Sequence, residues 1–211
     1  MHIDKNLSVA QLDAALRQFF ALASEKTRRL HHEWDPADGS PVVTREGKYT
    51  ARGWTEWTQG FQFGIPVLAF DATGDEELLE IGRDGTIRHM PSHVSHIGVH
   101  DHGFSNISTY GNLRRLALEG RTSDGVDAVR LYEFALKISG AVQAARWTTI
   151  HDGSGFIYSF NGPHSLFSDT IRSCRSLMVA HKLGHHLLAE SDIKISLLQR
   201  AVEHMLNTSM H

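Results

Sequence analysis

The feature that most restricts the fold of this chain is a weak repeat of helical segments that end in glycine and restart at a polar cap. One amphipathic segment ends at Gly74, immediately before Asp75, and another ends at Gly120, just before Ser123. The two glycines lie 46 residues apart, which is the length of a helical-hairpin repeat. The sequence therefore predicts an all-α chain made of consecutive antiparallel helix pairs.

The periodicity of apolar residues and the capping signals predict about seven helices. The first begins at Ser8, which forms a capping box with Gln11. The fifth is expected to end at Gly140, and the sixth to span about residues 166 to 188. The seventh is expected to begin after a cap at Ser191.

Two segments lack a helical period. Residues 33–53 are rich in turn-forming residues and are interpreted as a loop. The glycine-rich stretch that follows the fifth helix is expected to be irregular, with a short hairpin around Asp152 and Gly153. Irregular segments of this length are uncommon unless they have a function.

Aromatic and ionisable side chains cluster at the start of every second predicted helix. The sequences are WTEWTQGF at 54–61, VHDHGF at 99–104 and GPHSLFSDT at 162–170. In a ring of antiparallel hairpins every second helix runs in the same direction, so these three starts are expected to meet at one rim. The predicted architecture is an all-α helical-hairpin toroid, with residues 1–211 in a single domain.

Composition and charge exclude several classes of protein. The chain has 211 residues, of which 41% are hydrophobic, and this is enough for a globular core. A net charge of −3 without a basic run argues against nucleic acid or a membrane surface as a partner. The N-terminal residues carry charges within the stretch that a secretory signal would need to be apolar, and Cys174 has no partner cysteine. We therefore expect a cytoplasmic protein.

Two aspartates at the predicted rim are the candidate catalytic residues. Asp101 and Asp169 would lie at the same end of neighbouring inner helices, and paired carboxylates are the usual equipment for acid-catalysed attack on a sugar bond. Aromatic rings can stack on sugars, and imidazoles can donate to hydroxyls or carboxylates. The candidate substrate-binding residues are Trp54, Trp57, Phe104, Trp147, His100, His102 and His164.

Other interpretations of the same residues remain open. Asp101 can be a simple helix cap, and the tryptophans can be core residues. His93, His96, His100 and His102 form a cluster that could hold a divalent ion in a metal-dependent hydrolase, although their spacing matches no known ligand pattern. A non-catalytic carbohydrate-binding or assembly module would use the same aromatic residues without turnover. The preferred interpretation requires no metal and no other cofactor.

Several of these motifs resemble those of a known enzyme family. WTQGFQFGIPVLAFDATGDEELLE resembles the W-T-x-G-F and T-G-D segment of the unsaturated glucuronyl hydrolases, which form glycoside hydrolase family 88 and are related to family 105. HDHGF at 100–104 resembles the H-D-x-G-F motif of that family, and Asp169 in SDTIRS falls where its second aspartate is expected. The resemblance covers roughly residues 54–190.

The resemblance implies both a fold and a reaction. The family has an (α/α)6 barrel and removes a 4,5-unsaturated uronic acid from the oligosaccharides that polysaccharide lyases produce. Its chemistry is hydration of the vinyl ether, followed by ring opening. By this resemblance, Asp169 protonates the alkene carbon and activates water, and Asp101 assists it. His100 and Trp57 bind the sugar.

The chain also departs from the family pattern. The family often shows D-x-M-M-N at its second aspartate, where this chain has DTIRS, and nothing before His211 corresponds to the later R-G-Q-A-W motif. Six hairpins at the observed repeat length need more than 211 residues. The toroid is therefore expected to be incomplete, either as part of a longer protein or as a homo-oligomer that closes its ring with another copy. Whether this length is active or inactive by itself stays open at this point.

Overall fold

The computed structural model describes residues 8–53 and 57–210, and helices dominate it. Trp54 lies outside the described residues. The helices are α1 (Val9–Glu33), α2 (Thr58–Thr73), α3 (Glu76–His89), α4 (Pro91–Ser95), α5 (His102–Asn106), α6 (Asn112–Leu118), α7 (Val126–Ala145), α8 (Cys174–Lys182) and α9 (Leu197–Met210). A π-helical turn (Ile107–Gly111) joins α5 to α6, and a 3-10 turn (Ser168–Ser173) leads into α8.

The strands form three small antiparallel hairpins outside the helical layers. They are β1 (Ser40–Arg45) with β2 (Lys48–Arg52), β3 (Trp147–Thr149) with β4 (Gly155–Ile157), and β5 (Leu187–Leu188) with β6 (Lys194–Ile195).

The helices predicted to line the centre of the ring, here called the inner helices, are α2, α5 with α6, and α8. Of these, α2 and α5 run in the same direction and approach each other through glycine and serine. A Cβ atom on Gly60 of α2 would lie 2.5 Å from the Cβ atom of Ser105 on α5. One on Gly64 would lie 2.9 Å from the carbonyl oxygen of Ser108 in the π-helical turn. Because the residue numbers rise together along this contact, the two rods are parallel, as the sequence analysis predicts for helices of the inner layer.

The outer helices run in the opposite direction. The contacts of Gly85 with Phe63 and of Gly82 with Val67 place the start of α2 beside the end of α3. The next outer helix, α7, packs on the π-helical turn, where the ring of Tyr110 lies 6.4 Å from that of Tyr132 near the start of α7. Alternating inner and outer helices are the predicted hairpin arrangement.

Three of the predicted helix-end signals, at Ser8, Gly74 and Gly120, are confirmed. Ser8 and Gln11 form the expected capping box, in which the Ser8 N–H donates to Gln11 Oε1 at 2.7 Å. Gly74 and Gly120 have φ values of 73° and 68°. Glycine adopts this left-handed conformation without strain, so it ends a helix efficiently.

Several predicted boundaries of the later helices are wrong. α7 continues through Gly140 because this glycine lies at a helix crossing, where a Cβ atom would be 2.4 Å from that of Ala180. The sixth predicted helix is shorter than expected, because it consists of the 3-10 turn and α8 and ends near Gly184. α9 begins after Ser196, whose Oγ accepts a hydrogen bond from the Gln199 N–H at 3.2 Å, and not after Ser191.

The interpretation of residues 33–53 as a loop is also wrong, because β1 and β2 form a hairpin there. Glu46 and Gly47 both have positive φ and form its two-residue turn. The β-branched residues on either side of this turn were the available signal. The hairpin predicted around Asp152 and Gly153 is confirmed as β3 and β4.

The core is divided into two clusters of buried apolar side chains. The larger lies among α2, α3, α6 and α7 and includes Val67, Leu78, Leu113 and Leu136. The smaller lies where α8 and α9 pack on the end of α7 and on β4, and it includes Leu177 and Leu197. Burial of each such side chain contributes about 1.5–3 kcal/mol. None of the described helices combines the length and apolar character that crossing a membrane requires.

Candidate active site

Three short segments supply the candidate site, and each leads into an inner helix. Trp57 precedes α2, residues 99–101 precede α5, and the 3-10 turn Ser168–Ser173 precedes α8. Since α2 and α5 are parallel, and Gly103 of α5 contacts Ser173 at the start of α8, the three segments lie at the same end of the fold.

The carboxylates of Asp101 and Asp169 meet beside the imidazole of His100. One oxygen or nitrogen atom from each of the three residues lies within 4.8 Å of the other two. His100 Nε2 is 3.3 Å from Asp169 Oδ2 and 3.7 Å from Asp101 Oδ1. The side chain of Asp169 is 37% exposed and that of Asp101 only 11%, so Asp169 is the more accessible acid. The structure thus places the two predicted aspartates in one site.

Arg172 contacts both carboxylates. Its Nη2 donates to Asp101 Oδ1 at 2.8 Å and also to Asp169 Oδ2. The guanidinium carbon lies 4.2 Å from the centre of the Phe104 ring, in a cation–π contact. A positive charge between the two carboxylates offsets their mutual repulsion, which allows them to lie this close together.

A side chain-to-backbone hydrogen bond and a close helix contact fix the relative position of the segments that carry the two aspartates. Ser173 Oγ donates to the carbonyl oxygen of His100 at 2.7 Å. A Cβ atom on Gly103 would lie 2.8 Å from Ser173 Oγ and 3.0 Å from Ser173 Cα. The glycine in HDHGF is therefore explained by the close approach of α5 to the turn that carries Asp169.

His100 is buried against aromatic rings. Its ring stacks on Phe160, with centroids 5.9 Å apart and planes 16° apart, and it contacts the edge of Phe167 at 6.3 Å. Burial lowers the pKa of His100 below its usual 6.5, although Asp101 and Asp169 oppose the shift. The neutral imidazole can donate from Nε2 to the Asp169 carboxylate and hold it in place.

A row of aromatic rings leads from solvent to the carboxylates. Trp57 meets Phe61 edge to face at 5.3 Å, and Phe61 lies 5.4 Å from Phe104, on which Arg172 stacks. Trp57 and Phe61 are partly exposed. The row provides apolar ring faces of the kind that stack on sugars, as the sequence analysis proposed for Trp57 and Phe104.

Behind the carboxylates, three histidines form a hydrogen-bonded chain. His93 Nε2 contacts Gln59 Oε1, His93 Nδ1 lies 2.9 Å from His102 Nδ1, and His102 Nε2 lies 2.9 Å from His96 Nδ1. If Gln59 accepts from His93, each neutral ring donates through one nitrogen and accepts through the other, so His102 donates to His93 and His96 donates to His102. Burial lowers the pKa of His93 to about 4 and that of His102 to about 2.

The prediction that His102 binds substrate directly is wrong, because His102 is completely buried within this row of hydrogen-bonded histidines.

The arrangement of these histidines argues against the metal site that their sequence cluster suggested. The two nitrogens of His102 face different histidines, so His93, His96 and His102 do not converge on one point. Within residues 8–53 and 57–210, the one group of three that could offer a ligand atom each to a metal ion is His100, Asp101 and Asp169. The positively charged Arg172 already contacts both of its carboxylates.

Arg146 holds the segment that carries His100. It is not among the site residues predicted from the sequence. It is fully buried, its Nη2 donates to the carbonyl oxygens of Tyr158 and Ser159 at 2.8 Å each, and its Nη1 donates to that of Ile97. Burial lowers its pKa. The guanidinium therefore links two irregular segments on either side of the site, and a buried arginine of this kind has no local sequence signature.

Two other predicted substrate-binding residues have different surroundings. Trp147 packs against the smaller core cluster, and its ring lies 4.7 Å from the guanidinium carbon of Arg200 on α9. It therefore helps α9 to pack on the β3–β4 hairpin. His164 is exposed in the loop before the 3-10 turn. The structure thus places His100 against both carboxylates, and it links Phe104 to them only through Arg172. Trp57 lies further out and reaches Phe104 through Phe61, whereas Trp147 has a packing role.

Comparisons with known proteins place this geometry in a known fold. No protein-family model matches the sequence, and no curated protein matches it significantly. A solved structure of an unsaturated glucuronyl hydrolase specific for heparin matches 94% of this chain, with a TM-score of 0.71 and 21% identity. An unsaturated glucuronyl hydrolase from Streptococcus agalactiae matches 88% of the chain, with a TM-score of 0.59 and 19% identity.

The matched regions are 48% and 44% of the two solved chains, so this chain spans about half their length. It has the α/α toroid fold of the unsaturated glucuronyl hydrolases over that half. The fold predicted from the sequence motifs is therefore confirmed as an incomplete toroid.

Proposed function

We propose that this protein is a glycoside hydrolase-like enzyme that removes a 4,5-unsaturated uronic acid from oligosaccharides made by polysaccharide lyases. The observation that supports this most directly is the meeting of Asp101, Asp169 and His100 at the common end of the inner helices. The two solved structures of similar fold are both named as unsaturated glucuronyl hydrolases, which supports the same substrate class.

In the proposed reaction, Asp169 is the general acid and base. Its carboxylic acid transfers a proton to C4 of the alkene, and the oxygen of a water molecule bonds to C5. This water gives one of its protons to the Asp169 carboxylate and keeps the other as the hydroxyl on C5. The C5 hemiketal then opens by cleavage of its bond to the ring oxygen, which leaves a ketone at C5 and a hemiacetal at C1. Collapse of that hemiacetal releases the remaining sugar as an alcohol.

The other residues of the site position the reacting groups. Asp169 is the more exposed carboxylate, which suits the residue that must reach the alkene, whereas Asp101 is nearly enclosed and suits a supporting role. His100 lies against both. Trp57 and Phe104 offer ring faces along the approach to the acid, where a sugar can stack.

The test uses unsaturated uronyl disaccharides from lyase digests and follows the loss of the ultraviolet absorbance of the alkene. Asp169→Asn is expected to reduce the rate by about 10²–10⁴, because a positioned general acid contributes that much. Asp101→Asn is expected to reduce it less. Asp127→Asn is the control, because its side chain is 90% exposed on α7. Wild-type activity in the folded Asp169→Asn variant would exclude the proposed mechanism.

A second candidate function is a carbohydrate-binding or assembly module without turnover. The contact of Arg172 with both carboxylates favours it, because both acids are already engaged as hydrogen-bond acceptors. Trp57 provides the discriminating signal. A binding module would change its tryptophan fluorescence on adding the disaccharide while the alkene absorbance stayed constant.

A further inference from the structure

Arg172 is held rigidly at the site and keeps part of its hydrogen-bonding capacity. Its Nε donates to the carbonyl oxygen of Asp169 at 3.3 Å, its Nη2 contacts both carboxylates, and its planar group lies over Phe104. Within the part of the chain that the structure describes, Nη1 has no hydrogen-bond partner and is not among the buried polar atoms. The side chain is 36% exposed. Nη1 can therefore donate to a ligand without loss of the existing contacts.

The chemistry of the guanidinium indicates which ligand group suits it. Arginine presents several N–H donors in one plane, which match the two oxygens of a carboxylate. Stacking on Phe104 and the bond from Nε already fix this plane, so little conformational freedom is lost when an anion binds. A neutral hydroxyl would use only one donor and none of the charge.

The position of Arg172 relative to Asp169 matches the geometry of the proposed substrate. The proton is delivered to C4, and the carboxylate of the uronic acid is attached to the adjacent carbon, C5. A residue that binds this carboxylate must therefore lie next to the acid. Arg172 is three residues from Asp169 and contacts it directly.

The charge of the cluster agrees with this assignment. With both aspartates ionised and His100 neutral, Arg172 leaves the site with a net charge of about −1, which repels an anionic ligand. When Asp169 carries the proton that it delivers to C4, the net charge is about zero. Arg172 then keeps Asp101 as its partner at 2.8 Å and can receive the substrate anion on its open edge.

We infer that Arg172 binds the carboxylate of the unsaturated uronic acid and determines the preference of this site for charged over uncharged unsaturated sugars. The inference rests on the proposed function. It assigns a specificity-determining role to a residue that interrupts the D-x-M-M-N pattern.

The test compares an unsaturated uronyl disaccharide with its methyl ester, which keeps the alkene and the ring but has no negative charge. The ratio of kcat/KM for the acid to that for the ester is measured in wild type and in Arg172→Met. We expect the ratio to fall about tenfold to hundredfold, because a hydrogen bond to a charged group has that effect. Most of the change is expected in KM for the acid. The acid-to-ester ratio of Arg172→Lys is expected to lie between those of wild type and Arg172→Met, since lysine keeps the charge and loses the planar donors.

Arg175→Met is the matched control, because Arg175 is exposed one turn away on α8 and should leave the ratio unchanged. Thermal melting checks that each variant is folded, and if Arg172→Met does not fold, the lysine variant decides. An unchanged acid-to-ester ratio in the folded variant would overturn the inference while leaving the proposed function intact. Failure of the wild type to consume or bind either compound would instead refute the proposed function, and the inference with it.

Discussion

At the scale of single residues, the buried histidines make a prediction about stability. The unfolded chain takes up a proton on His93 and on His102 below about pH 6.5, whereas the folded chain does so only near pH 4 and pH 2. Between these values the unfolded state binds more protons, so stability falls as the pH falls from 6.5 towards 4. Each buried histidine is expected to contribute about 1.4 kcal/mol per pH unit.

Urea unfolding at several pH values between 7 and 4.5 measures this dependence. His102→Gln cannot be protonated in this range but can still donate to one neighbour and accept from the other. Its free energy of unfolding should therefore depend less steeply on pH than that of wild type. His164→Gln, in which an exposed histidine is removed, is the control and should keep the wild-type slope. Equal slopes for wild type and His102→Gln would show that the histidine chain does not set the acid sensitivity.

At the scale of helices, the close contact of α2 with α5 predicts an unusual response to a helix-favouring substitution. Alanine normally stabilises a helix relative to glycine by about 1 kcal/mol. At Gly60, however, the new Cβ atom would lie 2.5–2.6 Å from three atoms of Ser105. The helices must separate, so Gly60→Ala is expected to lower the free energy of unfolding by about 1–3 kcal/mol.

Gly111→Ala is the matched control, because the nearest atom to its new Cβ would be Ile107 Cγ2 at 3.4 Å, an ordinary contact. In chemical denaturation, the free energy of unfolding of Gly60→Ala should be lower than that of wild type. That of Gly111→Ala should be equal to the wild-type value or higher. Since α2 and α5 both lead away from the carboxylate site, Gly60→Ala should also reduce alkene hydration. A stability of Gly60→Ala equal to that of wild type would contradict the parallel close packing.

The helix ends also show which parts of the fold can be predicted from neighbouring residues alone. The capping box at Ser8 and the left-handed glycines at Gly74 and Gly120 act within one turn, so they could be predicted. Gly140 was misinterpreted because its meaning depends on Ala180, which is 40 residues away. Local patterns identify a glycine, but only tertiary packing distinguishes a helix end from a helix crossing.

At the scale of the whole molecule, the alternation of helix direction made the convergence of Asp101 and Asp169 predictable. Two residues at the starts of parallel helices must lie at the same end, whatever separates them in sequence. Arg172 lies in the same 3-10 turn as Asp169, but the sequence does not show which side chains of that turn face the carboxylates. Phe160 could not be placed, because it belongs to a loop whose path follows no period. Arg146 was missed for a similar reason, since its partners are backbone carbonyls.

The whole molecule also exposes an apolar surface that a monomer rarely shows. Large apolar side chains of α1 are open to solvent, with Phe19 61% and Leu16 44% exposed. It borders a groove of about 1430 Å³ between α1, the β1–β2 hairpin and α2. At the other end of the chain, Leu206 on α9 is 56% exposed. Patches of this kind favour association, and the chain spans only 48% of a solved structure of the same fold.

We therefore expect the isolated chain to self-associate through these faces as its concentration rises. Sedimentation velocity or light scattering over a dilution series measures the oligomeric state. Phe19→Glu places a charge in the apolar groove and should shift the population towards monomer, because burying that charge against apolar groups is costly. Leu118→Glu is the control, since Leu118 is similarly exposed at the end of α6 and does not line the groove. A wild-type chain that stays monomeric at every concentration would show that these faces do not pair two copies.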